Sequence, residues 1–366
     1  MPSFRLLARP LAGVLLPALF AVAHAAPDTT PAYEAVEADA MLDAVAFASG
    51  ETLPEARIHY RTIGQPRRDA QGRIDNAVLL LHGTGGSGAQ FLQPRFADAL
   101  FGPGQPLDAG RYFILLPDNI GHGGSSKPSD GLRTAFPRYG YADMVAIQHR
   151  WLTESLGIDS LRLILGTSMG CMHIFDWGQR HPGFARALMP LACQPVEIGD
   201  RNRVWRKAAM DAIRSDPAWQ DGHYTTQPLL GLRTASSLSV LVGIAPLNLH
   251  ASHPGRDAAD AWWEERFAAD IGARDANDWL YQLDASRDYD PSPELEKIVD
   301  PVVWVNFADD FINPPEFGIA ERLQPRMRTT RHVLVPASAR TRGHGTHTSA
   351  AIWKDALVEL LERSER

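Results

Sequence analysis

Cysteine is scarce in this chain: 366 residues contain two, Cys171 and Cys193. Metal-ligand spacing is missing as well. His344 and His347 stand three apart, but no Cys/His/Asp cluster completes a set, so no metal is expected. Basic charge is in deficit, with a net charge of −7 and no basic run. That excludes a polyanion-binding surface, and no nucleic-acid partner is expected. Long apolar runs are absent too. The longest, Leu11 to Val22, is too short for a comfortable membrane span. Internal repeats and low-complexity blocks are likewise missing. What remains is 45% apolar and 22% charged, an ordinary globular composition with ample core. The length fits two domains, or equally one large α/β domain with an insertion.

Residues 1–25 read as a signal peptide. Arg5 and Arg9 form a positive start, Leu11 to Val22 an apolar centre, and Ala23-His24-Ala25 a small-x-small cleavage site. Cleavage is expected after Ala25, because a cut one residue later would place His24 where a small side chain is needed. The competing reading is an uncleaved anchor. A periplasmic or secreted location follows, with no membrane contact after cleavage. Outside the cytoplasm acyl-CoA, ATP and NAD(P)H are scarce and water is abundant. A disulfide is permitted there. Cys171 opens a helix and Cys193 ends the next apolar strand, yet two buried free thiols are the expected state.

Ala56 to Gly64 alternates as a strand, with Ala56, Ile58, Tyr60 and Thr62 toward the core and Arg57, His59 and Arg61 toward water. Ala77-Val78-Leu79-Leu80-Leu81-His82 and Tyr112 to Pro117 are continuous apolar runs, the mark of strands buried on both faces. Each feeds a glycine-rich loop. Ala142 to Leu156 carries helical spacing, Cys171 to His181 reads as a helix, and Ala185 to Ala192 as a short strand. Strands and helices alternate, so the sheet is parallel and its site lies at the strands' C-terminal edge. The rhythm breaks over residues 194–298, a polar helical stretch holding Trp205, Trp219, Trp262, Trp263 and Trp279. This reads as an inserted helical cap. The tryptophans are expected in its core rather than at a ligand. Strands resume at Val302 to Phe307 and Arg331 to Val335, and Ser349 to Arg363 closes the chain as an amphipathic helix. The α/β core is therefore residues 26–193 and 299–366.

The stretch Leu161-Arg162-Leu163-Ile164-Leu165-Gly166-Thr167-Ser168-Met169-Gly170 runs a buried strand into Gly-x-Ser-x-Gly. That is a nucleophile elbow, a tight strand-to-helix turn that presents a serine hydroxyl at the sheet edge. Serine chemistry needs a base and an acid to orient it, in the order serine, acid, histidine. Ala308-Asp309-Asp310-Phe311-Ile312-Asn313-Pro314 supplies the acid where a strand leaves the sheet. Asp310 is chosen for the proline four residues on, and Asp309 is expected as a solvated turn residue. Thr341-Arg342-Gly343-His344-Gly345-Thr346-His347 supplies the base. His344 is chosen, and His347 is expected to cap a helix or lie on the surface. The backbone N–H groups of Met169 and Thr84 are the expected oxyanion donors. His82 and His122 are expected to brace their loops. Gly83-Thr84-Gly85-Gly86-Ser87-Gly88 also fits a dinucleotide fingerprint, but its acid is misplaced. The nearest candidate, Asp118, lies 30 residues beyond Gly88 instead of about 20. No cofactor is expected.

These residues resemble the α/β-hydrolase superfamily, and within it the homoserine O-acetyltransferase family. The closer likeness rests on Arg57 to Gly64, Asp75 to His82, Gly166 to Gly170, Ala212-Ile213-Arg214-Ser215-Asp216-Pro217-Ala218-Trp219 and Asp275 to Tyr281. The resemblance implies a mostly parallel eight-stranded sheet with helices on both faces, a Ser168–Asp310–His344 triad, an acyl-enzyme and a homodimer. Three positions depart from the family. Gly345 stands where the transferases carry an aspartate that binds the homoserine amine. Ser239 to Gly243 lacks the arginine that holds the substrate carboxylate. Gly121 to Pro128 lacks the family's Gly-Ser-Thr-Gly-Pro and looks more like hydrolases such as proline iminopeptidases.

The expected function is thus an exported serine hydrolase acting on an ester of small to medium size, with amides and thioesters as further targets. Its partner is a small-molecule acyl substrate. The alternatives are an O-acyltransferase using an alcohol other than homoserine, and a non-enzymatic binding protein with a vestigial triad.

Overall fold

A computed structural model describes residues 33–272 and 274–365, so the expected signal peptide lies outside the described residues. The strands are β1 (Ala35–Ala46), β2 (Thr52–Ile63), β3 (Ala77–Leu81), β4 (Phe113–Pro117), β5 (Leu163–Thr167), β6 (Leu188–Leu191), β7 (Val302–Phe307) and β8 (Thr330–Val335). They form one eight-stranded sheet in the order β1-β2-β4-β3-β5-β6-β7-β8. β1 and β2 pair antiparallel, as do β2 and β4, and the others run parallel. The parallel strands hold their place because both faces are apolar. All five residues of β3 are buried. Leu79 and Leu81 join one core, while Val78 and Leu80 join the core on the other face. This is the period-two alternation of a strand, used twice over.

The core helices are α1 (Pro94–Leu100), α2 (Tyr141–Arg150) and α3 (Met169–Arg180). Between β6 and β7 come α4 (Asp200–Ser215), α5 (Leu229–Val242), α6 (Pro246–Ser252), α7 (Arg256–Gly272) and α8 (Ala276–Asp284). α9 (Ile319–Leu323) and α10 (Lys354–Arg363) follow. The inserted helices build a small core of their own, with Trp205 and Trp279 inside it and Trp219 packed against it.

Three sequence expectations change. First, β1 was not expected: Ala35–Ala46 is rich in alanine and acids, which favour helix. It is a strand because β2 templates it, in register from Ala35 opposite Ile63 to Ala46 opposite Thr52. Second, that pairing covers the side chains assigned to water. Arg61 lies between Glu37 of β1 and the buried Asp118, at 2.8 and 3.1 Å. His59 meets Asp39 at 2.8 Å. Third, Cys171 and Cys193 are joined as a disulfide, with Cα atoms 5.8 Å apart. Parallel β5 and β6 are neighbours, and each cysteine lies just past its strand, so pairing follows from the strand order.

The disulfide closes a loop with a sequence separation of 22. Loop-closure entropy makes it worth about 3 kcal/mol. The double variant Cys171→Ala/Cys193→Ala should lose about that much in urea unfolding. Equal midpoints for variant and wild type would contradict the pairing.

Candidate active site

The site begins with two glycines. An added Cβ at Gly166 would collide with the Gly170 carbonyl, and one at Gly170 with the Leu81 carbonyl of β3. Only their absence lets α3 start this close to the sheet. Ser168 turns the corner at φ 54° and ψ −108°. That conformation costs a non-glycine residue on the order of 1–3 kcal/mol. Two backbone bonds hold it. Ser168 N–H donates to Leu191 O of β6 at 2.9 Å, and Gly170 N–H donates to His82 O at 3.0 Å. Both come from the strands flanking β5.

His344 Nε2 lies 2.8 Å from Ser168 Oγ. Its Nδ1 lies 2.8 Å from Asp310 Oδ2. The three residues named from the sequence therefore meet, and the imidazole can take the serine proton on one nitrogen while the carboxylate orients the other. Asp310 is 2% exposed. Its Oδ1 accepts from Ile312 N–H at 2.8 Å and Asn313 N–H at 3.2 Å, and its Oδ2 accepts from Asn313 Nδ2 at 3.1 Å. Burial would raise the carboxyl. The facing His344 charge, together with hydrogen bonds from His344, Asn313 and Ile312, outweighs burial and holds it below the ordinary aspartate value.

Asp309 is not a solvated turn residue. Its Oδ2 accepts from Thr341 Oγ1 at 2.7 Å and Gly343 N–H at 3.2 Å, which ties the acid loop to the histidine loop. His347 is not at the surface either. It is buried, with its ring 5.3 Å from that of His344. Asn313 was also missed as a functional residue. The spacing Asp-x-x-Asn from Asp310 was its only sequence signal, because its second acceptor, Ala192 O at 3.0 Å, is distant in sequence.

The glycine loop after β3 reaches the nucleophile. A Cβ on Gly83 would sit 3.3 Å from Ser168 Cβ. Gly83 N–H is occupied by Gln90 Oε1 at 3.2 Å, and Gln90 Nε2 donates to Thr167 Oγ1 at 2.8 Å. The N–H groups of Met169 and Thr84 have no partner among the described residues, so both are free to donate to an incoming oxyanion. His82 and His122 do brace their loops. His82 Nδ1 donates to Gly83 O at 2.9 Å while Nε2 accepts from Asn119 N–H at 3.0 Å, and His122 Nδ1 lies 3.1 Å from Ile120 O. Burial pushes both rings below the ordinary histidine range, so they stay neutral. Asp118 is spent on structure. It accepts from Gly88 N–H at 2.7 Å and Gly124 N–H at 2.8 Å, binding the two glycine loops together.

Residues 76–322 match the family model of the alpha/beta hydrolase fold. A probable acyltransferase of Methanothermobacter thermautotrophicus is 31% identical over 275 residues, covering 74% of this chain and 81% of that protein. The homoserine O-acetyltransferase of Thermobifida fusca is 33% identical over 233 residues, 60% of this chain and 57% of that enzyme. The chain thus spans a little over half the length of that second relative. The crystal structure of esterase E22 superposes with a TM-score of 0.77 at 18% identity, over 90% of this chain and 100% of that one. This last likeness concerns the fold alone.

Burial, then the His344 charge, holds His347 down at about 3, and burial does the same for His173. Unfolded, each binds a proton near the ordinary value of about 6.5, so each costs about 1.4 kcal/mol of stability per pH unit below that. His181, held at about 4 by burial and then by His149 and Arg180, acts the same way. Asp176 and Asp278, each raised to about 6 by burial, work in the opposite direction between their folded and unfolded values. The histidines outnumber the acids, and stability should fall as pH drops from 6.5 to 5. His347→Gln should flatten that slope and leave the acid limb of kcat/KM in place. A limb that moves with His347 would remove His344 from the base role.

Proposed function

The chain belongs to the alpha/beta-hydrolase fold family and is an enzyme of that fold, and on that premise we propose that it is an exported serine hydrolase that cleaves a small to medium ester. Ser168 Oγ attacks the ester carbonyl carbon as its proton passes to His344 Nε2. Asp310 orients the imidazole and stabilises the cation that forms. The Met169 and Thr84 N–H groups receive the developing oxyanion, each worth roughly 3–4 kcal/mol. Collapse expels the alcohol, which takes the proton from His344 and leaves Ser168 acylated. Water, deprotonated by His344, then attacks the acyl carbon. The Ser168 C–O bond breaks and the free acid departs. Residues 194–298 act as the cap that shapes the acyl pocket.

One observation carries this reading: His344 spans the gap between Ser168 Oγ and Asp310 Oδ2 with 2.8 Å on each side. Water is favoured as the final acceptor because Gly345 offers no side chain where the resembling transferases place their amine-binding aspartate. The leader-like residues 1–25 and the Cys171–Cys193 disulfide support export, where water rather than acyl-CoA abounds. The second reading is an O-acyltransferase. It draws support from the two relatives, both named as transferases.

A fluorophosphonate probe should label the wild type on Ser168 and fail on Ser168→Ala. Short-chain ester turnover should proceed in plain buffer and fall by roughly four to six orders of magnitude in that variant. Turnover that appears only after an alcohol acceptor is added would favour the transferase. An unlabelled, folded wild type would exclude both enzymatic readings.

A further inference from the structure

A guanidinium lies inside the fold without a counter-ion. Arg206, on α4, is 2% exposed. Its Nε donates to Asn202 Oδ1 at 3.1 Å, and its Nη2 reaches Thr84 Oγ1 at 3.4 Å. Its Nη1 has no partner among the described residues. The guanidinium faces the Trp205 ring, 5.0 Å from its centroid. The Tyr141 phenol sits beside it, and that hydroxyl is unpartnered as well. One helical turn earlier, Arg203 also buries an unpartnered Nη1. Residues three apart share a helix face. Neither arginine forms an ion pair with an aspartate or glutamate among the described residues, while their like charges disfavour each other.

Such an arrangement is expensive for stability alone. A buried charge without a partner costs several kcal/mol, and an apolar side chain of similar volume would serve the fold better. The missing negative charge has to arrive with something else. The position says with what. Thr84, the residue touched by Arg206, belongs to the loop that supplies an oxyanion donor. The next residues, Gly85 and Gly86, line a cavity of about 450 Å³. Guanidinium groups match carboxylates in a planar, two-point geometry.

We propose that Arg206, aided by Arg203, forms an anion subsite beside the oxyanion loop and takes a carboxylate carried by the ester substrate. This rests on the serine hydrolase reading and adds a substrate class to it. The carboxylate belongs either to the acyl group, as in a half-ester of a dicarboxylic acid, or to the alcohol, as in an ester of a hydroxy acid. The same subsite chemistry serves both. Bound there, it completes the hydrogen bonding of Arg206 Nη1 and sets how the scissile carbonyl meets Ser168.

The test compares three esters with wild type, Arg206→Met and Arg206→Lys. 4-Nitrophenyl butyrate is neutral, 4-nitrophenyl hemisuccinate carries the charge on the acyl side, and butyryl glycolate carries it on the alcohol side. Wild type should prefer one charged ester, and which one assigns the source of the carboxylate. Arg206→Met should lose about 30-fold or more in kcat/KM on that ester, the loss of a charge-assisted contact, and stay within about threefold on the butyrate. Arg206→Lys should recover part of the loss. Arg206→Met should also melt no lower than wild type, since it removes an unpaired buried charge. Two results would overturn the subsite. One is no preference for either charged ester in the wild type. The other is an equal fall on charged and neutral esters with a lowered melting temperature, which would make Arg206 a brace for Thr84. In either case continued butyrate turnover and probe labelling would leave the hydrolase reading standing.

Discussion

The hydrogen bond between His344 Nε2 and Ser168 Oγ joins residues 176 positions apart. It can form only if β5, β7 and β8 end at the same edge of one sheet. Parallel pairing supplies that, because successive parallel strands all point their C-termini one way. Continuous apolar faces keep the strands in the middle of two cores. The loops at that edge are then free to be short, polar and precise. Ser168, Asp310 and His344 each leave a different strand, yet two bonds of 2.8 Å link them.

The end of β6 is the hub that makes this alignment stiff. Three consecutive residues there serve different parts of the site. Leu191 O holds the Ser168 N–H, and Ala192 O holds Asn313 Nδ2, which in turn grips Asp310. Cys193 is bonded to Cys171 in the first turn of α3, and its carbonyl accepts from Trp304 Nε1 at 2.9 Å. The strained serine and the depressed aspartate thus share one support. Asp309 adds a second tie, from the acid loop to the histidine loop. Strain at Ser168 persists because the surroundings over-determine it.

Much of this could be read from the sequence, for specific reasons. Gly166 and Gly170 announce the elbow because steric exclusion at those positions is local. β3, β4 and β7 announce themselves because double burial writes an unbroken apolar run. Order along the chain then singled out Asp310 and His344. What stayed hidden depends on partners far away in sequence. β1 carries alanine and acids and becomes a strand only on the template of β2. Arg61 looked solvated until Glu37 and Asp118 closed on it. The disulfide depends on β5 and β6 being neighbours, and His347 on where the last loop folds. Arg206 is the extreme case. An unpaired buried arginine and a paired surface arginine are the same letter, and only tertiary structure tells them apart.

In the proposed mechanism everything converges on one covalent state, Ser168 carrying an acyl group that water removes. Rapid-quench mass spectrometry during turnover of a short ester reads that state directly. The account predicts an adduct of the acyl mass on the peptide containing Ser168. It should decay to free acid at the turnover rate, and that rate should not respond to added alcohols. Absence of the adduct, or an adduct that persists in water and clears only when an alcohol is supplied, would contradict it.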